Sequence, residues 1–192
     1  TVVEAIRHGK KLRTGQLIGN HFSIRVRDVE QSEDQIRSAW KAICEQGIPN
    51  YFGPQRFGRE GRNVQDGVDW LLGQKKLPKN LQSICLSAVR SYLFNELLAN
   101  RIAQGQWDQL IDHDFAQFNA GKAGFYLEAL AENDIERCRS GEISPCASLP
   151  GESRDEFTGL DAREGQILEA HRAILDALIA KRVARHFRKL RV

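Results

Sequence analysis

From Leu81 to Ile102 the apolar side chains Leu81, Ile84, Cys85, Ala88, Tyr92, Leu93 and Leu97 recur at helical spacing, and this stripe constrains the chain more than any other stretch. A helix with a continuous apolar face must have that face covered, so the run predicts a central packing element around which other segments gather. A hydrophobic content of 41% over 192 residues suffices to build that cover, as one compact domain or as a domain with part of another.

Other segments carry their own signals. Residues 16–29 alternate, with Phe22, Ile24 and Val26 on one face and Ser23, Arg25 and Arg27 on the other, which predicts a half-buried strand. Ser32 and Gln35 form a capping box ahead of Ile36, Trp40 and Ile43 at helical spacing, with Gly47 and Pro49 as the stop. The run IPNYFGPQRFGREGR at 48–62 reads as an ordered loop, and Asn63 as the cap of a short helix carrying Val64, Val68, Leu71 and Leu72 and ended by Gly73. Residues 107–149 mix short strand-like runs such as Phe125 to Leu127 with turns and a short helix near Ile135. From Gly165 to Leu190 a last helical pattern becomes basic in its final two turns. Strands near the start and middle with helices between them give an α+β class.

Charge is unevenly placed. The formal net charge is +3, but residues 1–15 contribute +3 and residues 181–192 contribute +6, leaving −6 for the middle. A polyanion would therefore meet the two ends of the chain. The four cysteines, Cys44, Cys85, Cys138 and Cys146, match neither a close metal-ligand pair nor a compact disulfide framework, so a reduced, cytoplasmic protein is expected. Apolar runs fall short of the roughly 20 residues that span a bilayer. Methionine is absent and the chain opens on Thr1, so a piece of a longer protein is expected, or one whose methionines went unrecorded.

Three features could carry chemistry. The opening RHGKKLRTGQLIGNHF at 7–22 runs four cations into a glycine-punctuated turn, as phosphate binding needs, although a run this short by itself reads as a solvated basic turn. In NYFGPQRFG at 50–58, Tyr51, Phe52 and Phe57 flank Arg56, a composition suited to stacking on unpaired bases or to a tightly packed corner. The tail KRVARHFRKLRV is ambiguous between the end of a helix and the start of a strand, and cations in a last helical turn also simply suit the helix dipole. His8, His21, His113, His171 and His186 are scattered without ligand spacing, so no metal is expected. Asp112, His113 and Asp114 read as a capping, solvated turn. The residues alone reach a soluble α+β chain with basic ends, suited to RNA, and no reaction.

The block RHGKKLRTGQLIGNHF followed by GIPNYFGPQRFG at 47–58 resembles, in order and spacing, two blocks of the TruD family of tRNA pseudouridine synthases. Similarity continues through SAVRSYLFNELLANR at 87–101, Asp112 to Asp114 and SLPG at 148–151, and so covers most of the chain. The resemblance implies an enzyme that converts a uridine of the tRNA D-stem region, uridine 13, to pseudouridine, with an essential aspartate and neither metal nor organic cofactor. It implies that Phe22 forms the aromatic face for the extruded base and that Asn20 lines the pocket. Arg7, Lys10, Lys11 and Arg13 would take tRNA phosphates, and Tyr51, Phe52, Gln55, Arg56 and Phe57 would hold an interdomain corner, with direct base contact as the second choice.

The departures are equally specific. The family's aspartate lies in a Gly-x-Lys-Asp segment, which does not occur in these 192 residues, nor does its closing Leu-Pro-x-Gly-Ser block. Where the family has Asp-Gly-Asp, this chain has His113 between the aspartates. The implied organisation is part of a catalytic domain at 1–45, a family-specific α+β insertion domain at 46–182 and a return to the catalytic domain at 183–192. The catalytic group is then expected upstream, with this chain inactive by itself and the whole protein a cytoplasmic monomer without membrane association. The rival expectation is an RNA-binding or interaction module that kept the insertion domain without chemistry.

Overall fold

The computed structural model describes residues 7, 9, 11, 21–153, 155 and 157–192. Its chain divides into two units, Thr1–Ser38 and Ala39–Val192.

In the first unit the alternating segment forms no strand: none is assigned over residues 21–31, and Phe22, Ile24 and Val26 are 73%, 80% and 74% exposed. Residues 16–20 of the expected strand lie outside the described residues. Alternation specifies a strand only where a sheet edge and a core are there to receive it, and no described residue pairs with this segment. The helix that follows, α1 (Glu33–Gln46), whose residues from Ala39 onward belong to the second unit, starts as the sequence predicts. The Ser32 amide donates to Gln35 Oε1 at 2.9 Å and the Gln35 amide to Ser32 Oγ at 3.3 Å, a reciprocal capping box. Ile36, Trp40 and Ile43 are all exposed. At the helix end Gly47 has φ +73, and a Cβ there would stand 2.6 Å from the Val192 carbonyl oxygen, so both backbone and space call for glycine.

In the second unit the loop after α1 contains a short helix, α2 (Pro54–Phe57), and a 3-10 turn at Arg59–Gly61. Asn63 is not a cap: α3 (Arg62–Leu71) begins one residue earlier behind Gly61, which is left-handed, and the Asn63 amide instead packs against Gly58. Leu72, expected inward, is 38% exposed, beside the stop at Gly73.

The long stripe becomes α4 (Lys79–Ala103), the central helix. Its middle is buried as expected, with Val89, Leu93, Phe94 and Leu98 at zero exposure. Its first turns are not, since Leu81 and Ile84 are 40% and 50% exposed. Burial is widest where α3 and the sheet flank the helix, and Gly67 of α3 permits the close crossing.

The sheet has the order β2-β1-β3-β4 and is antiparallel throughout, with β1 at Phe115–Phe118, β2 at Gly124–Tyr126, β3 at Ile143–Leu149 and β4 at His186–Lys189. One core joins α3 and α4 to Ala147, Leu178 and Leu190, and a second gathers Leu110, Ala116, Leu127, Cys138 and Ile143 beside α5 (Glu132–Arg139). The strand β3 contributes to both cores and is buried from Ile143 through Ser148, so it shows no alternation in sequence.

The last helical pattern does not run through to Leu190. It breaks into α6 (Thr158–Ile167), a turn at Glu169–His171 and α7 (Arg172–Ala180), and the basic tail, ambiguous in sequence between helix end and strand, is strand β4. Arg182 at φ +53 ends the helical run, and pairing of Cys146 with Lys189 and of Leu149 with His186 fixes the tail as a sheet edge.

Candidate nucleic-acid interface

Among the residues expected to meet RNA, Asn20, Lys10 and Arg13 lie outside the described residues. Arg7, Lys11 and Phe22 are described, and all three are exposed. Phe22 is 73% exposed.

The second cluster, around Tyr51 to Asn63, is built on α4 and β4. Asn50 joins the loop to the edge strand: its amide N–H donates to Leu190 O at 2.8 Å, and its side-chain Nδ2 donates to Lys189 O at 2.8 Å. Arg188 returns the contact, its guanidinium bonding both the Asn50 carbonyl oxygen and side-chain oxygen. Phe52 is fixed by reciprocal 3.0 Å bonds between its backbone and the Asn95 amide, and its ring meets Phe94 edge-on at 5.6 Å. The Arg188 guanidinium lies 4.0 Å from the Phe52 ring centroid and that of Arg56 5.4 Å. Burial, with the nearby Arg56 charge, pushes the Arg188 guanidinium below its ordinary value.

Beside this anchor opens a cleft of about 510 Å³ lined by Tyr51, Phe52, Gly53, Gln55, Arg56, Asn63 and Ile84. Tyr51 is 43% exposed, and its phenol is raised by partial burial and by the charge of Glu96. Arg56 makes a single side-chain hydrogen bond, to Ser87 Oγ at 3.2 Å, and has no carboxylate within salt-bridge distance among the described residues. Gln55 is exposed, and Phe57 is half-buried.

In the turn at 112–114, Asp112 and His113 are exposed as expected, but Asp114 is not solvated. Asp114 has zero exposure and takes bidentate bonds from Arg101 at 2.9 and 3.0 Å, one from Arg163 at 2.5 Å and one from the Ile111 amide at 3.0 Å. His113 sits at φ +61 with Nδ1 3.1 Å from the Tyr126 hydroxyl, and Asp112 accepts the Leu130 amide. These residues hold a corner of the sheet.

Sequence reading also passed over Arg90, whose guanidinium bonds three carbonyl oxygens, those of Leu149, Pro150 and Ala184, and Glu164, buried with Ser148. Nothing local in sequence marks either one, because each partner lies far along the chain. Among the described residues no group of three His, Cys, Asp or Glu side chains could hold a metal ion, and no helix is long and apolar enough to cross a membrane.

Comparison with known proteins supplies the wider frame. The tRNA pseudouridine synthase D of Methylococcus capsulatus is 37% identical over 159 residues, 82% of this chain and 45% of that protein. That of Aeromonas salmonicida is 37% identical over 174 residues, 91% of this chain and 47% of its own, and that of Hydrogenovibrio crunogenus 40% over 152 residues, 79% and 44%. The chain therefore spans about half the length of the curated relatives it matches. A crystal structure named for tRNA pseudouridine synthase D of Methanosarcina mazei superposes with a TM-score of 0.56 over 87% of this chain and 58% of its own, at 16% identity, which shows a shared α+β fold. The family model for tRNA pseudouridine synthase D (TruD) matches residues 1–68 and 61–183. With nearly all of its length accounted for by that model, this chain belongs to the TruD family.

Proposed function

We propose that this chain is part of a tRNA pseudouridine synthase acting on a uridine in the D-stem region of tRNA, uridine 13. The observation that carries the reading is the family match over residues 1–68, which takes in both the basic Gly-Asn-x-Phe block and the Tyr51–Phe57 block. Residues 1–45 belong to the catalytic part, residues 46–182 form the insertion, and residues 183–192, which carry the edge strand β4, are the return to the catalytic part.

In the reaction the bond from the ribose C1′ to N1 of uracil breaks, the base turns, C1′ bonds to C5, and the C5 proton is lost while N1 is protonated. The base must leave the stack to do this. Phe22 supplies a face for it, and Asn20 the hydrogen bonds that orient it or the acid. Arg7, Lys10, Lys11 and Arg13 hold phosphates on either side. The working aspartate comes from a Gly-x-Lys-Asp segment that these 192 residues do not contain. The intact enzyme works in the cytoplasm as a monomer.

The test uses the intact enzyme and a tRNA transcript with uridine 13, scored by chemical mapping of pseudouridine. Conversion is expected at that position, with a loss of at least about tenfold in Phe22→Ala, the scale of one stacked base. The 192-residue chain by itself is expected to convert nothing. Turnover by that chain alone would overturn the placement of the aspartate, and tRNA binding without any conversion by the intact enzyme would favour a binding module.

A further inference from the structure

We propose that the cleft between Tyr51 and Asn63 is a second nucleotide site, taking an unpaired nucleotide of the tRNA away from the base that is isomerised. The proposal rests on the tRNA reading above and adds a contact that the target-base pocket does not supply.

Four observations point to a nucleotide. The first is size: at about 510 Å³ the cleft lies within the range of small-ligand sites, and it is open to solvent. The second is a division of labour between adjacent aromatics. Phe52 anchors the loop through Asn95, Phe94 and Arg188, so the corner is held without Tyr51. Tyr51 keeps 43% of its surface exposed on the cleft wall, and Ile84, also lining the cleft, is 50% exposed. An exposed tyrosine ring and an aliphatic side chain in one cleft give a base apolar surface to stack against.

The third observation is charge. Arg56 has spent one hydrogen bond on Ser87, and its remaining donors are free of carboxylates among the described residues. Arg59, 92% exposed, and Arg62, also exposed, follow on the same turn, with Glu60 only 3.8 Å from Arg59 and thus a weak partner. Glu96 near Tyr51 is an opposing acid, and of the three arginines Arg56 is the one that lines the cleft. A phosphate is the ligand group that a planar guanidinium in such a field suits best. The fourth is the pair of amides. Asn63 is held on the cleft wall because Gly58 lacks a Cβ, which would otherwise stand 2.7 Å from that amide, and Gln55 is exposed beside it. Amide side chains carry both a donor and an acceptor, as base edges require.

The test uses the intact enzyme with tRNA carrying 4-thiouridine at single unpaired positions. After irradiation, a crosslink to the peptide containing Tyr51 is expected from at least one position other than the target. In parallel, Tyr51→Ala is expected to raise the KM for tRNA about tenfold with kcat held, and Tyr51→Phe to behave as the wild type. Arg56→Gln is expected to lower the salt slope of binding by about one. Absence of any crosslink in the cleft, together with unchanged KM in Tyr51→Ala, overturns the proposal while leaving the synthase reading intact. So does a fall in kcat and melting temperature without a crosslink, which would make the loop a structural hinge alone. A wild-type enzyme that neither binds nor converts tRNA overturns the synthase reading and this one with it.

Discussion

Asp114 gathers four hydrogen bonds at zero exposure, two from Arg101, one from Arg163 and one from a backbone amide, so three segments of chain depend on a single carboxylate. Removing one partner of such a buried pair leaves charge without compensation and costs about 3–5 kcal/mol. Asp114→Ala is expected to lower stability by that amount in urea denaturation, and a midpoint within experimental error of the wild type would deny the cluster its role. Glu164 behaves differently. Burial raises its carboxyl above the ordinary value, against the lowering effect of the Ser148 hydrogen bonds and the charges of Arg185 and Arg163. A raised folded value means that the folded state binds the proton more tightly than the unfolded chain. The contribution to stability is thus complete below the unfolded value and lost as pH rises through the folded one. Glu164→Gln keeps an acceptor for the Ser148 amide and puts an NH2 donor where the carboxyl accepts from the Ser148 hydroxyl, so its melting temperature is expected to fall less than that of the wild type as pH rises above the ordinary carboxylate range. Parallel pH profiles for the two proteins would refute this.

Among the elements, the crossing of α3 and α4 depends on Gly67. A Cβ there would lie 2.6 Å from Val89 Cγ2 and 2.7 Å from the Cys85 carbonyl oxygen, and the second of these is backbone that cannot swing aside. Gly67→Ala raises helix propensity but overpacks the crossing, and a net loss of about 1–3 kcal/mol is expected in thermal melting. A rise in melting temperature would show that the helices separate freely. How much of each element could be read beforehand follows from how locally it is determined. The capping box of α1 joins residues three apart, and the buried middle of α4 follows the helical repeat, so both were legible. The strand β3 is covered on both faces and has no period to read, and the β4 tail became a strand because β3 lay beside it. Tyr51 to Phe57 was legible as an ordered connection but not as holding the short helix α2, and its bracing by Arg188 and Asn95 required folding to bring distant segments together.

For the whole molecule, the charge distribution bears on the proposed binding of tRNA. Each phosphate neutralised by a lysine or arginine releases counterions, so the logarithm of affinity falls with the logarithm of salt in proportion to the number of contacts. Replacing Lys10, Lys11 and Arg13 by Gln in the intact enzyme is expected to reduce that slope by about 2 to 3, with weaker tRNA binding at moderate salt. An unchanged slope would place those three residues away from the phosphates. The six bases of residues 181–192 stand differently, since Arg185 pairs with Asp161 at 2.6 Å and Arg188 is held against Asn50 and Phe52. Part of the basic tail is thus committed to the fold, and net charge overstates what it can offer to RNA.

The sequence by itself determined the family, the α+β class, the boundaries of α1 and the core of α4, because each rests on residue order or on spacing within a few turns. Only the tertiary structure decided that the tail is a strand, that Asp114 is buried and that Tyr51 borders an open cleft. Those outcomes depend on which distant segment arrives to cover a side chain or to pair with a backbone, and no local pattern encodes that arrival.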